Sequence, residues 1–395
     1  MNSYRKVFAR AQSVDPAAIT GRESPREILE RMFPAFVGRQ VRTAFELMRR
    51  ASQTDTCTFM TLSGAMTPAG LHQSCIIPLI ERGLIDSITT TGANLYHDAH
   101  RLIGHRIREL DPNAGDLKYR LAKIIRIYDL GFDQQALFDT DKLLFSILMK
   151  PEYQRKMTTT EFHWMLGRDI AKVEETLGVK TPSLLSTCWR YDVPIFVGAV
   201  QDGSIFLTLV KLRALFGDEF KLELDINGDV FEMGAVQHHC FVTRKDKMAV
   251  WILGGGVPKN YTLQGLPLLD QVMGIPTTGW DFDVQFCVDP VDNGALSSCP
   301  AGEGHTWGKV SAAGVESGSV YVHCDVTAVF PFLTHALLSD PKLRKKPRRL
   351  FKARAEAVDV LRREVIKRRK KLLKTIAFDE RLAKKLKARP QARPR

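Results

Sequence analysis

The segments 57–64 (CTFMTLSG) and 84–94 (LIDSITTTGAN) decide the fold, because each places a short apolar and β-branched run directly before a glycine. A stretch of helical character follows each glycine, and the first of these opens at Thr67-Pro68. Two successive strand–glycine–helix units are typical of βαβ structure with parallel strands. The sequence therefore predicts an α/β fold, in which helices cover both faces of a mostly parallel sheet.

The same rhythm of buried strand and polar turn returns later in the chain. It predicts five more strands, for a total of about seven, at 193–200, 222–225, 248–253, 282–288 and 319–325. Glycine or polar residues follow the carboxyl end of each strand, which is the edge where open α/β sheets bind ligands. Gly254-Gly255-Gly256 is the clearest case, since its amides can approach a phosphate at the start of the next helix.

Three regions are predicted. Residues 1–52 form a helical N-terminal arm, in which Ser24 is the N-cap, Pro25 the first helical residue and Glu27 the third. Residues 53–340 form the sheet domain, with a mostly helical insertion at about 112–180 that covers one face. Residues 341–395 form a basic tail.

Charge is distributed unevenly along the 395 residues. The net charge is +13, and the tail holds 23 lysines and arginines against 5 acids, so the rest of the chain is mildly acidic. A nucleic acid or an acidic protein is therefore conceivable as a partner only through the tail. A solvated, partly helical run of charge is the ordinary explanation for such a segment.

Several functional classes lack their sequence signatures. The seven cysteines form no CxxC pair, which favours a reducing, cytoplasmic location, and neither a signal peptide nor an apolar run of about 18 residues is present. Neither GxGxxG, GxxxxGK[ST], GxSxG nor HExxH occurs, so a standard dinucleotide fingerprint, a P-loop, a serine hydrolase elbow and a catalytic metal are not indicated.

The stretch 302–310 (GEGHTWGKV) is the strongest candidate for chemistry. It places Glu303, His305, Trp307 and Lys309 within seven residues, between glycines that let the backbone turn. Burial lowers the pKa of a lysine, and a neutral amine can attack an imine or carbonyl carbon. From composition alone, a surface turn with a solvated lysine is the commoner explanation of such a stretch, because lysines with a perturbed pKa are the exception.

Asp202, Asp289 and Asp325 each follow a predicted strand. A carboxylate at such a place can hold ribose hydroxyls, although a helix N-cap or a turn is the commoner role for any one of them.

Taken in order, five blocks resemble the deoxyhypusine synthase family, including its bacterial deoxyhypusine synthase-like branch and the related homospermidine synthases. The blocks are TTTGAN (89–94), PIFVGAVQDGS (194–204), ILGGGVPKN (252–260), HTWGKV (305–310) and CDVTAVFPFL (324–333). The resemblance implies a Rossmann-like domain, a homotetramer of two tight dimers, and NAD and polyamine bound between paired subunits. It also implies transfer of the 4-aminobutyl group of spermidine, through an imine on an enzyme lysine, to an acceptor amine.

The resemblance assigns roles to particular residues. Lys309 matches the family's catalytic lysine, and Glu303, Trp307, His305 and Asn260 are expected to bind the polyamine. The residues expected around NAD are Ser63, Thr67, Thr90, Thr91, Gly92, Asp202, Gly255, Val288, Asp289, Asp325 and Val326.

The chain also departs from the family's pattern. Leu207 and Leu296 stand where the family has aspartates, and Asn260 stands where it has a histidine. Each lost carboxylate removes a partner for a cationic amine. The acceptor is expected to be a protein lysine, with transfer to a small polyamine, as in homospermidine synthases, or a catalytically idle NAD-binding protein as the alternatives.

Overall fold

The computed structural model describes residues 2–53, 55–376 and 384, and its centre is a parallel sheet of six strands. The strands of the chain are β1 (Thr56–Leu62), β2 (Ser87–Thr90), β3 (Arg108–Glu109), β4 (Ile124–Ile127), β5 (Leu130–Asp133), β6 (Lys156–Met157), β7 (Ile195–Val197), β8 (Glu223–Leu224), β9 (Lys247–Leu253), β10 (Phe282–Phe286) and β11 (Ser319–Val322). The central sheet has the order β11-β10-β9-β1-β2-β7. The predicted α/β fold is therefore confirmed.

Helices cover both faces of this sheet. They are α1 (Asn2–Arg10), α2 (Pro25–Arg31), α3 (Phe36–Ala51), α4 (Ile77–Glu81), α5 (Gly92–Leu102), α6 (Asp116–Leu121), α7 (Gln135–Leu148), α8 (Thr159–Leu177), α9 (Leu184–Tyr191), α10 (Ser204–Phe216), α11 (Ile226–His238), α12 (Gly256–Leu263), α13 (Gly265–Pro267), α14 (Ala301–Thr306), α15 (Val326–Leu338), α16 (Leu350–Lys367) and α17 (Arg369–Ile376). Among the described residues, no helix is both long and apolar enough to cross a bilayer.

Alternate residues of the central strands enter two different cores. In β9, Trp251 packs into the larger core with α3 and α15, whereas Val250 and Ile252 pack into the smaller core with α11 and α16. Successive side chains of a strand point to opposite faces, so a strand buried on both faces is apolar throughout. This explains why the strand segments of the sequence are continuous apolar runs.

The order of the sheet fixes the place of a binding crevice. The chain runs outward from β1 to β2 and β7, then returns to the other side of β1 and runs outward through β9, β10 and β11. This is the Rossmann strand order, in which the direction of winding reverses between the first and fourth strands. Ligands of such sheets bind outside the carboxyl ends of those two strands, which here are β1 and β9.

Two local expectations differ from the structure. The run 222–225 does not join the central sheet, because its two-residue strand β8 pairs instead with β6 beside Met157. The insertion at 112–180 contains helices, but its first part also forms β4 and β5, which make a small antiparallel sheet with β3 just before the insertion. Both strands β8 and β3 are only two residues long, too short to give a clear alternating pattern in the sequence.

At the N-terminal side, Ser24 and Glu27 form the predicted capping box of α2. Helix α3 then buries Phe45 and Met48 against the central sheet. The arm is thus packed on the domain from α2 onward, whereas the described side chains of α1 are exposed.

Beyond residue 340 the chain continues to pack on the domain. Helix α16 buries Leu350 and Leu361 in the smaller core beside α11. Before it, the Arg344 guanidinium donates to both carboxylate oxygens of Asp86, at 2.9 and 2.5 Å, and both side chains are buried. The basic residues nearest the domain therefore hold buried acids of the same chain. Most of the last part of the predicted tail, 377–383 and 385–395, lies outside the described residues.

Candidate functional site

At the crevice between β1 and β9, the residues that follow the two strands contact each other directly. The Ser63 hydroxyl accepts a hydrogen bond from the Gly255 amide at 3.1 Å, and it also contacts the Gly255 carbonyl oxygen. A Cβ atom on Gly255 would lie 2.5 Å from the carbonyl oxygen of Ser297, so only glycine fits there. Helix α12 starts at the next residue without a side-chain cap, which leaves its first amide groups available to an anion.

Asn94 organises the neighbouring turn after β2. Its side-chain oxygen accepts from the amides of Met66 and Thr67, and its side-chain nitrogen donates to Thr90 at 3.1 Å and to the carbonyl of Gly64 at 3.3 Å. These hydrogen bonds join the turn after β1 to the turn after β2. Ser63, Thr67, Thr90 and Gly255 are therefore brought to one place.

Gly92 belongs to the same edge of the sheet. A Cβ atom on Gly92 would lie 2.7 Å from the Cα atom of Gly203, because the backbones after β2 and β7 touch here. Thr91, the preceding residue, caps α5 and donates to the carbonyl of Gly64 at 2.6 Å.

The other residues predicted around the cofactor lie on the same edge but farther apart. Asp202 follows β7 at one end of the sheet, and Asp325 follows β11 at the other, with four strands between them. Five strand spacings of about 4.8 Å separate these ends by roughly 24 Å. Asp325 caps α15 by accepting from the Thr327 amide, and Val288 and Asp289 follow β10. One chain therefore does not gather all eleven residues into a compact group.

The stretch that carries Lys309 is fixed to the sheet by backbone hydrogen bonds. The Lys309 carbonyl oxygen accepts from the Trp280 amide at 2.9 Å, and Val310 forms a parallel bridge with Trp280 just before β10. On the other side, the Lys309 amide donates to the carbonyl of Gly304 at the end of α14. These bonds hold the lysine backbone beside the face of the sheet that packs into the smaller core.

The Lys309 amine is half-buried in a cavity of about 800 Å³. Its Nζ donates to Asn260 Oδ1 at 2.9 Å and lies 5.9 Å from the Trp307 ring centroid. Burial lowers the pKa of this amine, and the positive charge of Lys259 acts in the same direction. The amine therefore faces a cavity and loses part of its hydration, unlike a fully solvated surface lysine.

Lys259 is a second amine in the same cavity, and it is more deeply buried. Its Nζ donates to Gln285 Oε1 at 2.7 Å, to the carbonyl of Cys299 at 2.8 Å and to the carbonyl of Ser297 at 3.4 Å. Burial lowers its pKa as well. Its three donors are nevertheless engaged, so it fastens the 297–299 loop to β10, whereas Lys309 has a single side-chain partner.

Asp283 lies on β10, two residues before Gln285, and also lines the cavity. It is 6% exposed. Burial raises the pKa of its carboxyl group to about 6, and the charge of Lys259 opposes this rise. Across the described part of the chain, its carboxylate takes part in no hydrogen bond and in no ion pair within 4 Å. A buried acid without a partner inside a cavity is an unusual arrangement.

Three of the four residues expected to bind a polyamine line the cavity, and the fourth does not. Glu303, Trp307 and Asn260 line the cavity. His305 is not among its lining residues, and its Nδ1 lies 2.7 Å from the carbonyl oxygen of Val310. The imidazole therefore supports the turn before Lys309.

The two leucines at positions where the resemblance expects aspartates lie in different places. Leu296 lines the cavity, and Leu207 is an exposed residue of α10 that does not line it.

The sequence reasoning missed Asn94, Lys259 and Asp283. A signal for Asp283 was present, because Asp283 and Gln285 alternate with Phe282, Val284 and Phe286 in an otherwise buried strand. Such alternation places two polar side chains on one buried face, where they need partners. Lys259 and Asn94 gave no comparable signal.

Within the described part of the chain, no group of three or more histidine, cysteine or acidic side chains is arranged to hold a metal ion.

Comparisons with known proteins agree on one family. Residues 27–337 match the family model for deoxyhypusine synthase. A deoxyhypusine synthase-like protein of Nostoc punctiforme is 35% identical over 357 residues, covering 90% of each chain. A Methanosarcina acetivorans protein named "Probable deoxyhypusine synthase 2" is 31% identical over 338 residues, covering 85% of this chain and 92% of the relative.

A solved structure supports the fold. The crystal structure of a protein assigned as a deoxyhypusine synthase from Entamoeba histolytica superposes with a TM-score of 0.54. The match covers 84% of this chain and 99% of the other at 14% sequence identity.

Proposed function

The chain belongs to the deoxyhypusine synthase family, and from this premise we propose that it is an NAD-dependent transferase of the 4-aminobutyl group of spermidine. In this proposal the group passes through an imine on Lys309 to an acceptor amine, with release of 1,3-diaminopropane. The preferred acceptor is a protein lysine, as the family name suggests. A small polyamine is the alternative acceptor, as in homospermidine synthases.

The environment of the Lys309 amine is the observation that carries the proposal. An amine attacks an imine carbon only in its neutral form, and partial burial beside the positive Lys259 favours that form. Its hydrogen-bond acceptor among the described residues, Asn260, is uncharged. A neutral amide stabilises an ammonium less than a carboxylate does, so it preserves the lowered pKa.

The residues after β1 and β9 fit a dinucleotide. Gly255 brings the backbone close, and the uncapped start of α12 offers amide groups to a phosphate at the point where the sheet reverses its winding. Bound there, NAD would supply hydride acceptance and return. Gly256 follows Gly255 directly and lines the Lys309 cavity, so the proposed cofactor crevice and the cavity adjoin.

The proposal also covers assembly and location. A homotetramer of two dimers, which the resemblance to the family implies, is part of the proposal, as is a cytoplasmic location. Light scattering of the purified protein would measure the assembly. Binding of nucleic acid by the tail stays a prediction.

The test is to trap the covalent intermediate. The full-length protein is incubated with NAD and spermidine labelled in its aminobutyl part, then treated with borohydride, which reduces an imine to a stable amine. We expect label on the wild-type protein and on Lys211→Ala, which changes an exposed lysine of α10, but no label on Lys309→Ala. Peptide mapping should locate the label at residue 309.

Release of 1,3-diaminopropane is measured in parallel. Release without an added acceptor would establish cleavage, and candidate proteins or polyamines would then identify the acceptor. Equal labelling of the wild type and of Lys309→Ala would contradict the role of this lysine. Absence of both label and 1,3-diaminopropane would instead indicate the catalytically idle alternative.

A further inference from the structure

Asp283 is a buried acid that faces the cavity and has no partner among the described residues. It is more than nine-tenths buried, lies in the middle of β10 and faces the cavity that holds Lys309. An ionised carboxylate at such a depth is costly unless a cation or hydrogen-bond donors meet it. None of the described residues provides such a contact within hydrogen-bonding or ion-pairing distance.

Lys259 does not supply the missing partner. Its charge acts on Asp283, but its amine donates to Gln285 and to two loop carbonyls. No ion pair within 4 Å joins it to Asp283. The oxygens of Asp283 therefore keep their capacity to accept hydrogen bonds from something that enters the cavity.

The cavity around this acid suits an aliphatic amine. Apolar side chains of α11 and α12, including Val230, Met233 and Leu263, line it together with the Trp307 ring. Such side chains accommodate methylene groups. Asp283 supplies an acid on the sheet, and the exposed Glu303 supplies a second acid of the lining.

Lys309 and Asp283 both line the cavity. The Lys309 backbone is hydrogen-bonded to Trp280, just before β10, and Asp283 is the second residue of β10. Because the two side chains share one cavity, a chain-like ligand can contact the carboxylate at one point and the reactive amine at another.

We propose that Asp283 binds an ammonium group of the donor and makes the cavity selective for aliphatic diamines and polyamines. This inference rests on the proposed function, since it assigns the donor to the cavity of Lys309. The carboxylate supplied by Asp283 stands in place of the one that Leu296 removes from the cavity lining. Asp283 lies on the sheet, where strand pairing with β9 and β11 fixes its backbone position.

Binding is measured apart from turnover, by calorimetry of the full-length protein with spermidine and without NAD. Asp283→Asn keeps the shape and removes the charge, and Asp270→Asn removes an exposed acid elsewhere as the matched control. We expect Asp283→Asn to weaken spermidine binding by about tenfold or more, the effect of losing one charge-assisted hydrogen bond. Asp270→Asn should remain within about twofold of the wild type.

A second variant and a comparison of two further amines test the same contact independently. Asp283→Ala, which only enlarges an existing cavity, should show the same loss and serves if the asparagine variant does not fold. Butylamine, which carries one ammonium, should bind more weakly than the diamine putrescine to the wild type. Butylamine and putrescine should bind to the Asp283 variants with similar affinities.

The outcomes separate this inference from the proposed function. Unchanged spermidine affinity in both Asp283 variants would overturn the inference, whether or not the wild type releases 1,3-diaminopropane. No measurable binding of any aliphatic amine by the wild type would overturn it as well. Selective loss of binding in the variants, without any 1,3-diaminopropane from the wild type, would support it and count against the transferase.

Discussion

Replacement of Asp283 by asparagine should stabilise the unliganded protein near pH 8, although it removes a residue of the proposed donor site. Burial raises the pKa of this carboxyl group from 3.8 to about 6. A change of one in pKa corresponds to about 1.4 kcal/mol, so ionised Asp283 costs the folded state ~3 kcal/mol. Because an asparagine amide also needs partners, we expect a gain of about 1 to 3 kcal/mol in the free energy of unfolding.

The dependence on pH gives the sharper test. The folded-state pKa of Asp283 is higher than the unfolded one, so the folded protein binds the proton more tightly. The penalty is fully present above pH 6, shrinks as the pH falls and disappears below pH 3.8, where both states are protonated. The advantage of Asp283→Asn over the wild type should therefore fade as the pH is lowered from 8 to 4.

Urea unfolding followed by tryptophan fluorescence at fixed protein concentration, at pH 8, 7, 6 and 5, would measure this difference. Asp270→Asn, an exposed acid, controls for the loss of one negative charge and should change stability by less than about 0.5 kcal/mol. The reasoning would be refuted if Asp283→Asn were less stable than the wild type at pH 8. A difference that did not vary with pH would also refute it, since Asp283 would then act through its shape.

Three further perturbations test other parts of the structure. Formation of the borohydride-trapped adduct should rise with pH and reach half its maximum below pH 10.5, because burial lowers the pKa of Lys309; a midpoint at or above that pH would contradict a desolvated amine. Arg344→Ala should lower the free energy of unfolding by about 1.5 to 3 kcal/mol, because it removes the two-oxygen partner of the buried Asp86 and leaves that acid with Arg348 and the Thr58 amide, whereas the exposed Arg362→Ala should have little effect in the same urea titration. Gly92→Ala should destabilise the protein by about 1 to 3 kcal/mol and weaken NAD binding in calorimetry, whereas Gly294→Ala, with open space around it, should do neither; equal effects would show that the close approach after β2 has no consequence.

The central strands could be predicted because each is buried on both faces. Such strands are continuous apolar runs that end at a glycine or polar turn, and β1, β9 and β10 all have this pattern. Ser24 and Glu27 likewise specified the start of α2, because a capping box is a local interaction of neighbouring residues. The weaker signals failed, and β8 was assigned to the wrong sheet because its partner β6 is distant in sequence.

The sequence also identified Lys309 within its block, but the placement of the catalytic candidates depended on tertiary packing. No sequence pattern showed that Lys259 has its donors engaged while Lys309 has one uncharged partner. Nor did the basic composition of the chain after residue 340 show that Arg344 is buried against Asp86.

By itself, then, the sequence determined the family, the parallel sheet and the candidate lysine, because these depend on local patterns and on blocks of contiguous residues. Only the tertiary structure decided that Asp283 faces the Lys309 cavity without a partner and that the first part of the basic segment belongs to the core. The physical reason is that burial and charge pairing are made between residues far apart in the chain. Their energies depend on distances that no single stretch of sequence contains.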